Sequence, residues 1–400
     1  MPKATLRDIP VQGKRLFIRV DFNVPLNDAR QVGDDTRIQA ALPTISDALQ
    51  HGASVILASH LGRPKGGVDP KLSLQPVATH LEGLLGKPVR FAPDCVGAEV
   101  EALAQALQPG EVLLLENLRF HPEEEANDPT FAQALARLAD VYVNDAFGAA
   151  HRAHASTAGI ATYLQPAVAG LLMEREITYL SQVIEHPDPP LMAILGGAKV
   201  SDKILLITHL LDKVSALLLG GGMAYTLLQA QGYEVGTSLV EPDRIPLARE
   251  LLAKAADRKV QFLLPSDHVI AQSVSADAAT RTVADAAIPS GWMGLDIGPQ
   301  TVARFRQVIA SARTVVWNGP MGVFELEPFR QGTLEIARAV ADCPGTTVVG
   351  GGDTIAALAM TDCRDAITHI STGGGASLEF LEGKTLPGIA CLSERQVLAP

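Results

Sequence analysis

Five basic side chains stand near predicted strand ends or helix starts in the first part of the sequence. This basic set comprises Arg37, His60, Arg63, Arg119 and Arg152. Guanidinium groups donate forked hydrogen bonds that match phosphate and carboxylate oxygens. For any single arginine the alternative is an ordinary surface ion pair, for instance of Arg37 with Asp34 or Asp35. Five such side chains at equivalent positions favour a site for a small anion.

Glycine clusters occupy the corresponding positions in the second part of the sequence. They are Gly196-Gly197, Gly220 to Gly222, Gly350 to Gly352 and Gly373 to Gly375. A glycine-rich turn between a strand and a helix exposes backbone N–H groups beside the positive end of the helix dipole, where phosphate binds. Glycine also serves tight turns and close helix packing, which is the alternative for any one cluster. Several clusters in one half of the chain favour contact with a ligand.

Charged residues beside the glycines extend this interpretation. Lys199 and Lys203 are the cations available to phosphates, unless they are two exposed helix lysines. Asp353 follows Gly352, and a carboxylate among phosphates indicates a bridging hard cation, so Asp353 is a candidate Mg²⁺ ligand. A helix N-cap is the other role open to it. His151 and His154 lack an apparent third ligand, and we interpret them as non-metal residues.

Familiar nucleotide fingerprints are missing from the sequence. No G-x-G-x-x-G follows a predicted strand, which counts against a dinucleotide site. Gly383-Lys384-Thr385 resembles the end of a P-loop, but Leu378 stands where the first glycine belongs. Phosphate is therefore expected to bind through a different arrangement of loops.

The elements that must position these residues are alternating strands and helices. Apolar runs that end in polar or glycine-rich loops and precede helical patterns predict βαβ units. We predict an α/β protein with two doubly wound parallel-sheet, Rossmann-like domains joined by an interdomain helix and hinge. The predicted strands are Arg15–Asp21, Ala53–Ser59, Val112–Glu116, Val141–Asn144, Leu191–Leu195, Ala216–Leu219, Gln261–Leu264, Thr314–Trp317, Thr346–Val349 and His369–Ser371.

Helical spacing and flanking prolines place the interdomain helix near Gly170 to Ile184. The predicted domains are residues 1–170, the helix 171–186, residues 187–385, and a C-terminal segment 386–400 that returns to the first domain.

Composition limits the classes of protein. The chain has 400 residues, of which 47% are hydrophobic. A chain of this length is longer than a single hydrophobic core usually organises, so two domains are expected. No apolar run is long enough to cross a membrane and no signal peptide is recognisable, so we predict a cytoplasmic protein. The formal charge of −11 argues against a nucleic-acid partner. Cys95, Cys343, Cys363 and Cys391 form no CxxC pair, so we predict reduced, mostly buried thiols rather than disulfides or a zinc site.

Eight longer motifs, in order along nearly the whole chain, resemble those of the phosphoglycerate kinase family. They are RVDFNVP from Arg19, SHLGRPKG from Ser59, LENLRF from Leu115, HRAHAST from His151, GGAKVSDK from Gly196, WNGPMGVFE from Trp317, GGGDT from Gly350 and STGGGASLE from Ser371. The sequence departs from the family's pattern at Ile9-Pro10-Val11, His268 and Gln300, outside these motifs.

The resemblance implies two groups of binding residues. Phosphoglycerate is expected at Asp21, Phe22, Asn23, Arg37, His60, Leu61, Gly62, Arg63, Arg119 and Arg152. The nucleotide is expected at Lys199, Lys203, Gly294, Asn318, Glu325, Gly351, Gly352, Asp353 and Thr354, with Glu325 on the ribose and Asp353 on Mg²⁺. Arg37, Lys199, Gly352 and Gly375 are the expected catalytic groups.

The resemblance also implies the reaction, in which 1,3-bisphosphoglycerate and MgADP give 3-phosphoglycerate and MgATP reversibly. The family expectation is a monomer, and ligand sites on different lobes imply closure when both ligands bind. A dinucleotide-dependent dehydrogenase lacks support because its glycine fingerprint is absent. A catalytically inactive binding protein lacks support because every expected charged residue is present.

Overall fold

The computed structural model describes residues 2–65 and 67–395, which divide into two compact units. The first unit comprises Met1–Thr178 and Thr385–Pro400, and the second comprises Tyr179–Lys384. The division falls inside helix α6 (Leu171–Glu185), the long helix expected between the domains. No helix in the described ranges is long and apolar enough to span a bilayer.

The first unit is built on a six-stranded parallel sheet. Its strands are β1 (Arg15–Arg19), β2 (Ser54–Ala58), β3 (Val89–Phe91), β4 (Val112–Leu114), β5 (Val141–Asn144) and β6 (Ala167–Ala169), in the spatial order β3-β4-β2-β1-β5-β6. The central strands are buried along almost their whole length because helices cover parallel sheets on both faces. The strand order reverses between β1 and β5, where open α/β sheets bind ligands at the carboxyl ends.

Two strands of this sheet were not predicted. Both β3 and β6 have three residues and lie at the sheet's edges, and β3 carries the exposed Arg90. Short edge strands lack the continuous apolar run that marks a central parallel strand. The four predicted strands exist but end up to two residues earlier than expected.

Helices surround the sheet of the first unit. They are α1 (Thr36–Gln50), α2 (Gln75–Leu85), α3 (Ala98–Gln105), α4 (Pro122–Glu125), α5 (Pro129–Ala136), the start of α6, and α14 (Pro387–Ala390) in the C-terminal segment. Their boundaries follow local chemistry. Asp128 caps α5 by accepting a hydrogen bond from Phe131 N at 2.9 Å. Asp145 Oδ1 accepts from the amides of Leu172 and Met173 at 3.0 and 3.1 Å, which anchors the first turn of α6.

The second unit has its own six-stranded parallel sheet. Its strands are β7 (Leu191–Leu195), β8 (Ala216–Leu219), β9 (Gln261–Leu263), β13 (Thr314–Asn318), β14 (Thr346–Gly350) and β15 (His369–Ile370), in the order β15-β14-β13-β7-β8-β9. Its helices are α7 (Ile204–Leu210), α8 (Met223–Ala230), α9 (Ile245–Asp257), α10 (Pro299–Ile309), α11 (Gln331–Ala341), α12 (Gly352–Leu358) and α13 (Gly375–Leu381). The order reverses between β7 and β13. All six strands were predicted, and their bounds agree within one residue.

A three-stranded antiparallel sheet in the second unit was not predicted. It contains β10 (His268–Ala271), β11 (Arg281–Val283) and β12 (Met293–Ile297), ordered β11-β10-β12. The buried polar residues His268 and Asp296 interrupt the apolar pattern of these strands. Their sequence therefore does not give the signal of a buried strand.

Candidate active site

The first unit collects polar side chains at the carboxyl edge of its sheet. Asp21 lies just after β1, His60 after β2, Arg119 after β4 and Arg152 after β5. Carboxyl ends of parallel strands meet at one edge, so strand polarity alone brings these segments together.

Arg37 forms its ion pair with Asp21. Its Nη1 lies 3.1 Å from each Asp21 carboxylate oxygen and donates to Asn23 O at 3.2 Å. The alternative pairing with Asp34 or Asp35 is therefore wrong. Asn23 Oδ1 in turn accepts from Gly62 N at 2.8 Å, which ties the loop after β1 to the loop after β2.

Arg119 is almost entirely buried, with 7% of its surface exposed. Its Nη1 donates to Gly62 O at 2.9 Å, and its Nε lies 3.2 Å from Glu125 Oε1 without the alignment of a hydrogen bond. Burial lowers the pKa of Arg119, although Glu125 opposes this. The guanidinium is thus a fixed, poorly solvated cation, which suits the binding of an anion.

His60 and His154 lie among these cations. Burial lowers the pKa of His60 well below its usual range, and the positive charges of Arg19, Arg119 and Arg37 lower it further. Burial, followed by the positive charges of Arg19, Arg119 and Arg152, lowers the pKa of His154 to about 4. Both imidazoles are therefore neutral at pH 7, when they can donate one hydrogen bond each.

The remaining predicted phosphoglycerate residues differ in exposure. Arg63 is exposed and makes no ion pair within residues 2–65 and 67–395, and Arg152 Nε donates to His151 Nε2 at 3.1 Å. Phe22 and Leu61 bury their side chains in the hydrophobic core. The Leu61 amide and carbonyl are both bonded to Asn117, at 3.2 and 2.7 Å. Phe22 and Leu61 thus shape the loops from within.

The second unit contains a cavity of about 510 Å³, here called the glycine-lined cavity. Its polar and glycine lining includes Gly197, Gly221, Gly222, Gly294, Glu325 and Asp353, and its apolar walls include Leu239, Val274, Met293, Leu295 and Val323. Three predicted nucleotide residues, Gly294, Glu325 and Asp353, therefore line one cavity. A volume of this size suits a small organic ligand.

Two of the glycines are required by close approach. A Cβ on Gly221, whose φ is +68°, would lie 2.6 Å from Gly197 O. A Cβ on Gly294 would overlap the Tyr225 hydroxyl. At these positions glycine allows the cavity wall to pack closely, in addition to any contact it makes with a ligand.

Lys203 and Asn318 form a polar pair outside the cavity lining. Lys203 Nζ donates to Asn318 Oδ1, and the buried Asn318 Nδ2 has no hydrogen-bond partner in the described parts of the chain. Burial lowers the pKa of Lys203 to about 8 despite the nearby charges of Asp202, Glu382 and Asp353. Lys203 is half-buried and precedes α7, whereas Lys199 is exposed in the preceding loop. The interpretation of the two as exposed helix lysines is therefore wrong for Lys203.

The Gly350–Thr354 loop leads into α12. Gly351 is the N-cap, with φ of +93°, so the N-cap role considered for Asp353 is wrong. Asp353 lies in the first helical turn, exposed and on the cavity lining. Thr354 is buried and its Oγ1 accepts from Gly319 N at 2.7 Å, which ties α12 to the loop after β13. Gly352 and Gly375 are exposed at the first residues of α12 and α13.

The Asp353 side chain fits the predicted metal. Its carboxylate makes no hydrogen bond or ion pair with the residues that the structure describes, so both oxygens are available. Hard oxygen donors beside phosphate are what Mg²⁺ requires, because it binds through one or two carboxylates together with substrate phosphates and water.

The sequence analysis missed a cluster of side chains of the kinds that can bind metals. Ligand atoms of Asp94, Cys95 and His121 all lie within 4.8 Å of one another. His121 Nε2 already lies 2.7 Å from Asp94 Oδ1, and burial raises the pKa of the Cys95 thiol. We interpret the group as a hydrogen-bonded cluster. Cys95 and Cys343 are buried, Cys363 and Cys391 are partly exposed, and all four are free thiols.

Two further residues that the sequence analysis did not single out lie beside predicted site residues. Tyr225 lines the glycine-lined cavity and is buried, a position that no motif revealed. Arg19 is completely buried at the end of β1. A charged residue inside the apolar run LFIRV was a signal that could have identified it, because buried arginines are rare unless they are paired.

Comparison with known proteins gives concordant matches. The family model described as "Phosphoglycerate kinase" matches residues 6–384. The chain is 61% identical over 395 residues to the phosphoglycerate kinase of Moorella thermoacetica, covering 99% of this chain and 100% of that one. It is 59% identical to the enzyme of Roseiflexus sp. over 98% of this chain and 100% of that one. The solved structure of phosphoglycerate kinase from Coxiella burnetii matches with a TM-score of 0.90 and 43% identity, over 98% of both chains.

Proposed function

The chain belongs to the phosphoglycerate kinase family, and from that premise we propose which of its residues carry out the family's reaction. The protein is a phosphotransferase that moves a phosphoryl group reversibly between 1,3-bisphosphoglycerate and ADP, giving 3-phosphoglycerate and ATP.

The first unit binds the phosphoglycerate. The observation that carries this assignment is the set of cations and neutral imidazoles at one edge of its sheet: Arg119 is buried, His60 is neutral, and Arg37 is partly exposed and paired with Asp21. An anionic ligand would accept hydrogen bonds from N–H groups of Arg119 and of the neutral imidazoles that burial shields from water. Asp21 and Asn23 hold Arg37 and the amide of Gly62 in place, while Arg63 and Arg152 add positive charge.

The second unit binds the nucleotide. The apolar walls of the glycine-lined cavity suit a nucleoside base. Gly294 lines the cavity and lets Tyr225 pack against it, and Glu325 is available to the ribose hydroxyls. The phosphates then reach Lys199, Lys203, Asn318 and the amides of Gly351, Gly352 and Thr354, where the N-terminus of α12 favours negative charge.

Asp353 is the residue that we assign to Mg²⁺ carried as MgATP or MgADP. When bound, the ion neutralises charge on the phosphate oxygens. The Asp353 carboxylate fixes where that neutralisation occurs, at the first turn of α12.

No general base is needed for this reaction. The carboxylate of 3-phosphoglycerate and the terminal phosphate of ADP are ionised before they attack. What remains is stabilisation of charge on the transferring group, which we assign to Arg37, Lys199 and the backbone amides at Gly352 and Gly375. A monomeric state, a cytoplasmic location and the absence of nucleic-acid and membrane partners are further parts of the proposal.

The decisive experiment is a coupled assay of ATP formation from 1,3-bisphosphoglycerate and ADP, with and without Mg²⁺. Arg119→Ala should raise the KM for the phosphoglycerate about 10- to 100-fold, because it removes a charge-assisted hydrogen bond. The KM for ADP should stay unchanged. Arg313→Ala, which removes an exposed arginine of the second unit, is the matched control. Equal effects of Arg119→Ala on both constants would contradict the assignment of the basic set to the metabolite.

A further inference from the structure

Arg19 carries a positive charge inside the first unit. It is fully buried at the carboxyl end of β1, with 0% of its surface exposed. Its guanidinium donates through Nε to Ser156 Oγ at 2.7 Å and through Nη1 to Val20 O. Nη2 lies 3.1 Å from His60 Nδ1. These contacts join β1 to the loop after β5 and to the loop after β2.

The charge of Arg19 is compensated through Ser156. Glu124 is also fully buried, and its carboxylate accepts from Ser156 N at 2.9 Å and from Ser156 Oγ at 2.5 Å. A serine hydroxyl has one proton, so the Oγ that donates to Glu124 is the acceptor for Arg19. The hydrogen bonds therefore have fixed directions: Ser156 donates to Glu124, and Arg19 donates both to Ser156 and to His60.

That direction decides which ring nitrogen of His60 carries the proton. Arginine has five N–H donors and no acceptor, so the Nδ1 atom facing Nη2 must accept. The ring is neutral, because burial and the surrounding cations lower its pKa. A neutral imidazole that accepts at Nδ1 carries its single proton on Nε2. In residues 2–65 and 67–395, the ring's hydrogen bond is through Nδ1, which leaves Nε2 for a ligand.

We propose that Arg19, anchored by Ser156 and Glu124, is a positioning residue that locks His60 in the Nε2–H tautomer and so gives the phosphoglycerate site a hydrogen-bond donor. An anionic oxygen requires a donor at that atom, and the other tautomer would present a lone pair and repel it. The inference rests on the proposed function, since it assumes that His60 contacts the metabolite.

The tautomer can be measured directly by nitrogen-15 NMR of the ring in the free full-length protein at pH 7.5, with the signals assigned by His60→Gln. We expect Nε2 to be protonated and Nδ1 unprotonated. A ring protonated on Nδ1, or on both nitrogens, would overturn the proposal whatever the variants do.

Three variants test the cause. Arg19→Met removes the donor, so we expect a mixture of tautomers and a KM for 3-phosphoglycerate raised about tenfold, with the KM for ATP unchanged. Arg19→Lys retains one donor and should recover most of the Nε2–H population. Arg15→Met removes the half-exposed arginine at the start of the same strand and should change neither quantity. An unaltered tautomer in Arg19→Met would refute the role of Arg19.

Ser156→Ala provides a milder change if Arg19→Met does not fold. It removes one anchor of the guanidinium but not the guanidinium itself, so we expect His60 to stay protonated on Nε2 with a faster exchange between tautomers. An exchange rate equal to that of the wild type would show that the anchor is not needed. His60→Gln separates the proposals: if it leaves the phosphoglycerate KM unchanged, the assigned contact of His60 is wrong, whereas the measured tautomer still tests the lock.

Discussion

Replacing Lys203 by methionine should stabilise the unliganded second unit while weakening nucleotide binding. Burial lowers the pKa of Lys203 from 10.5 to about 8, so the folded protein holds the charged form at a cost. A fall of about 2.5 in pKa corresponds to a penalty of about 3 kcal/mol at pH 7. Methionine removes the charge but also the hydrogen bond to Asn318, which is worth about 1 kcal/mol. We therefore expect a free energy of unfolding about 2 kcal/mol higher than that of the wild type.

The pH dependence of this difference identifies its cause. A lysine whose folded pKa is lowered destabilises the fold fully below about pH 8. The penalty fades as the pH rises to 10.5 and beyond, where the unfolded lysine also loses its proton. The advantage of Lys203→Met should thus be present at pH 7 and absent at pH 10. Chemical denaturation without nucleotide, followed by a probe in the second unit, measures it.

Lys199→Met is the matched control, because the neighbouring lysine is exposed. Its free energy of unfolding should stay within about 0.5 kcal/mol of the wild type. Both variants should bind MgADP more weakly, by about tenfold or more, since each loses a cation assigned to the phosphates. A Lys203→Met protein that is less stable than the wild type at pH 7, or whose stability difference is the same at pH 10, would refute this reasoning.

Three other changes test separate parts of the site. Asp353→Ala should lower turnover at limiting Mg²⁺ by about 100-fold or more, with an unchanged circular dichroism spectrum. The control Asp365→Ala should keep the turnover of the wild type. Wild-type turnover in Asp353→Ala would contradict the assignment of Asp353 to the metal. Gly294→Ala should weaken MgADP binding in calorimetry because its Cβ meets a tyrosine hydroxyl, while Gly352→Ala, whose Cβ meets open space, should leave the fold and cavity intact. Burial raises the pKa of Asp145 to about 6, so the folded protein takes up a proton there as the pH falls from 7 to 5. Over that range the free energy of unfolding of the wild type should rise by about 1 kcal/mol relative to that of Asp145→Asn. The same pH dependence of the free energy of unfolding in both proteins would contradict this.

The central strands were predictable because parallel strands buried on both faces consist of continuous apolar runs, as in Leu191–Leu195 and Ala216–Leu219. The edge strand Val89–Phe91 and the antiparallel strand Met293–Ile297 were missed for the converse reason. One alternates with exposed residues and the other contains the buried Asp296. An apolar run predicts a strand only when all of its residues are buried and apolar. The prediction therefore fails where a strand is partly exposed or encloses a carboxylate.

The site was predictable to the extent that strand ends locate it. Polar residues after β1, β2 and β4 converge because the strands are parallel. Their positions relative to the predicted strands are therefore enough to predict that they meet. Spacing could not show that Arg37 pairs with Asp21 or that Leu61 is buried under the loop, since both depend on side-chain packing. It also could not show Tyr225, because an enclosed wall of a cavity has no distinctive residue pattern.

Both proposed sites contain buried polar or charged groups that lower the stability of the fold. Within residues 2–65 and 67–395, Arg119 Nε and Asn318 Nδ2 are buried without a hydrogen bond. Burial also lowers the pKa values of His60 and Lys203. Enclosed donors and charges of this kind destabilise a fold unless a partner satisfies them. Anionic oxygens of a ligand are such partners, so ligand binding would recover the free energy that these groups lose when they lack a partner. Phosphoglycerate should therefore stabilise the first unit and the nucleotide the second, each through the groups that its own unit leaves poorly solvated.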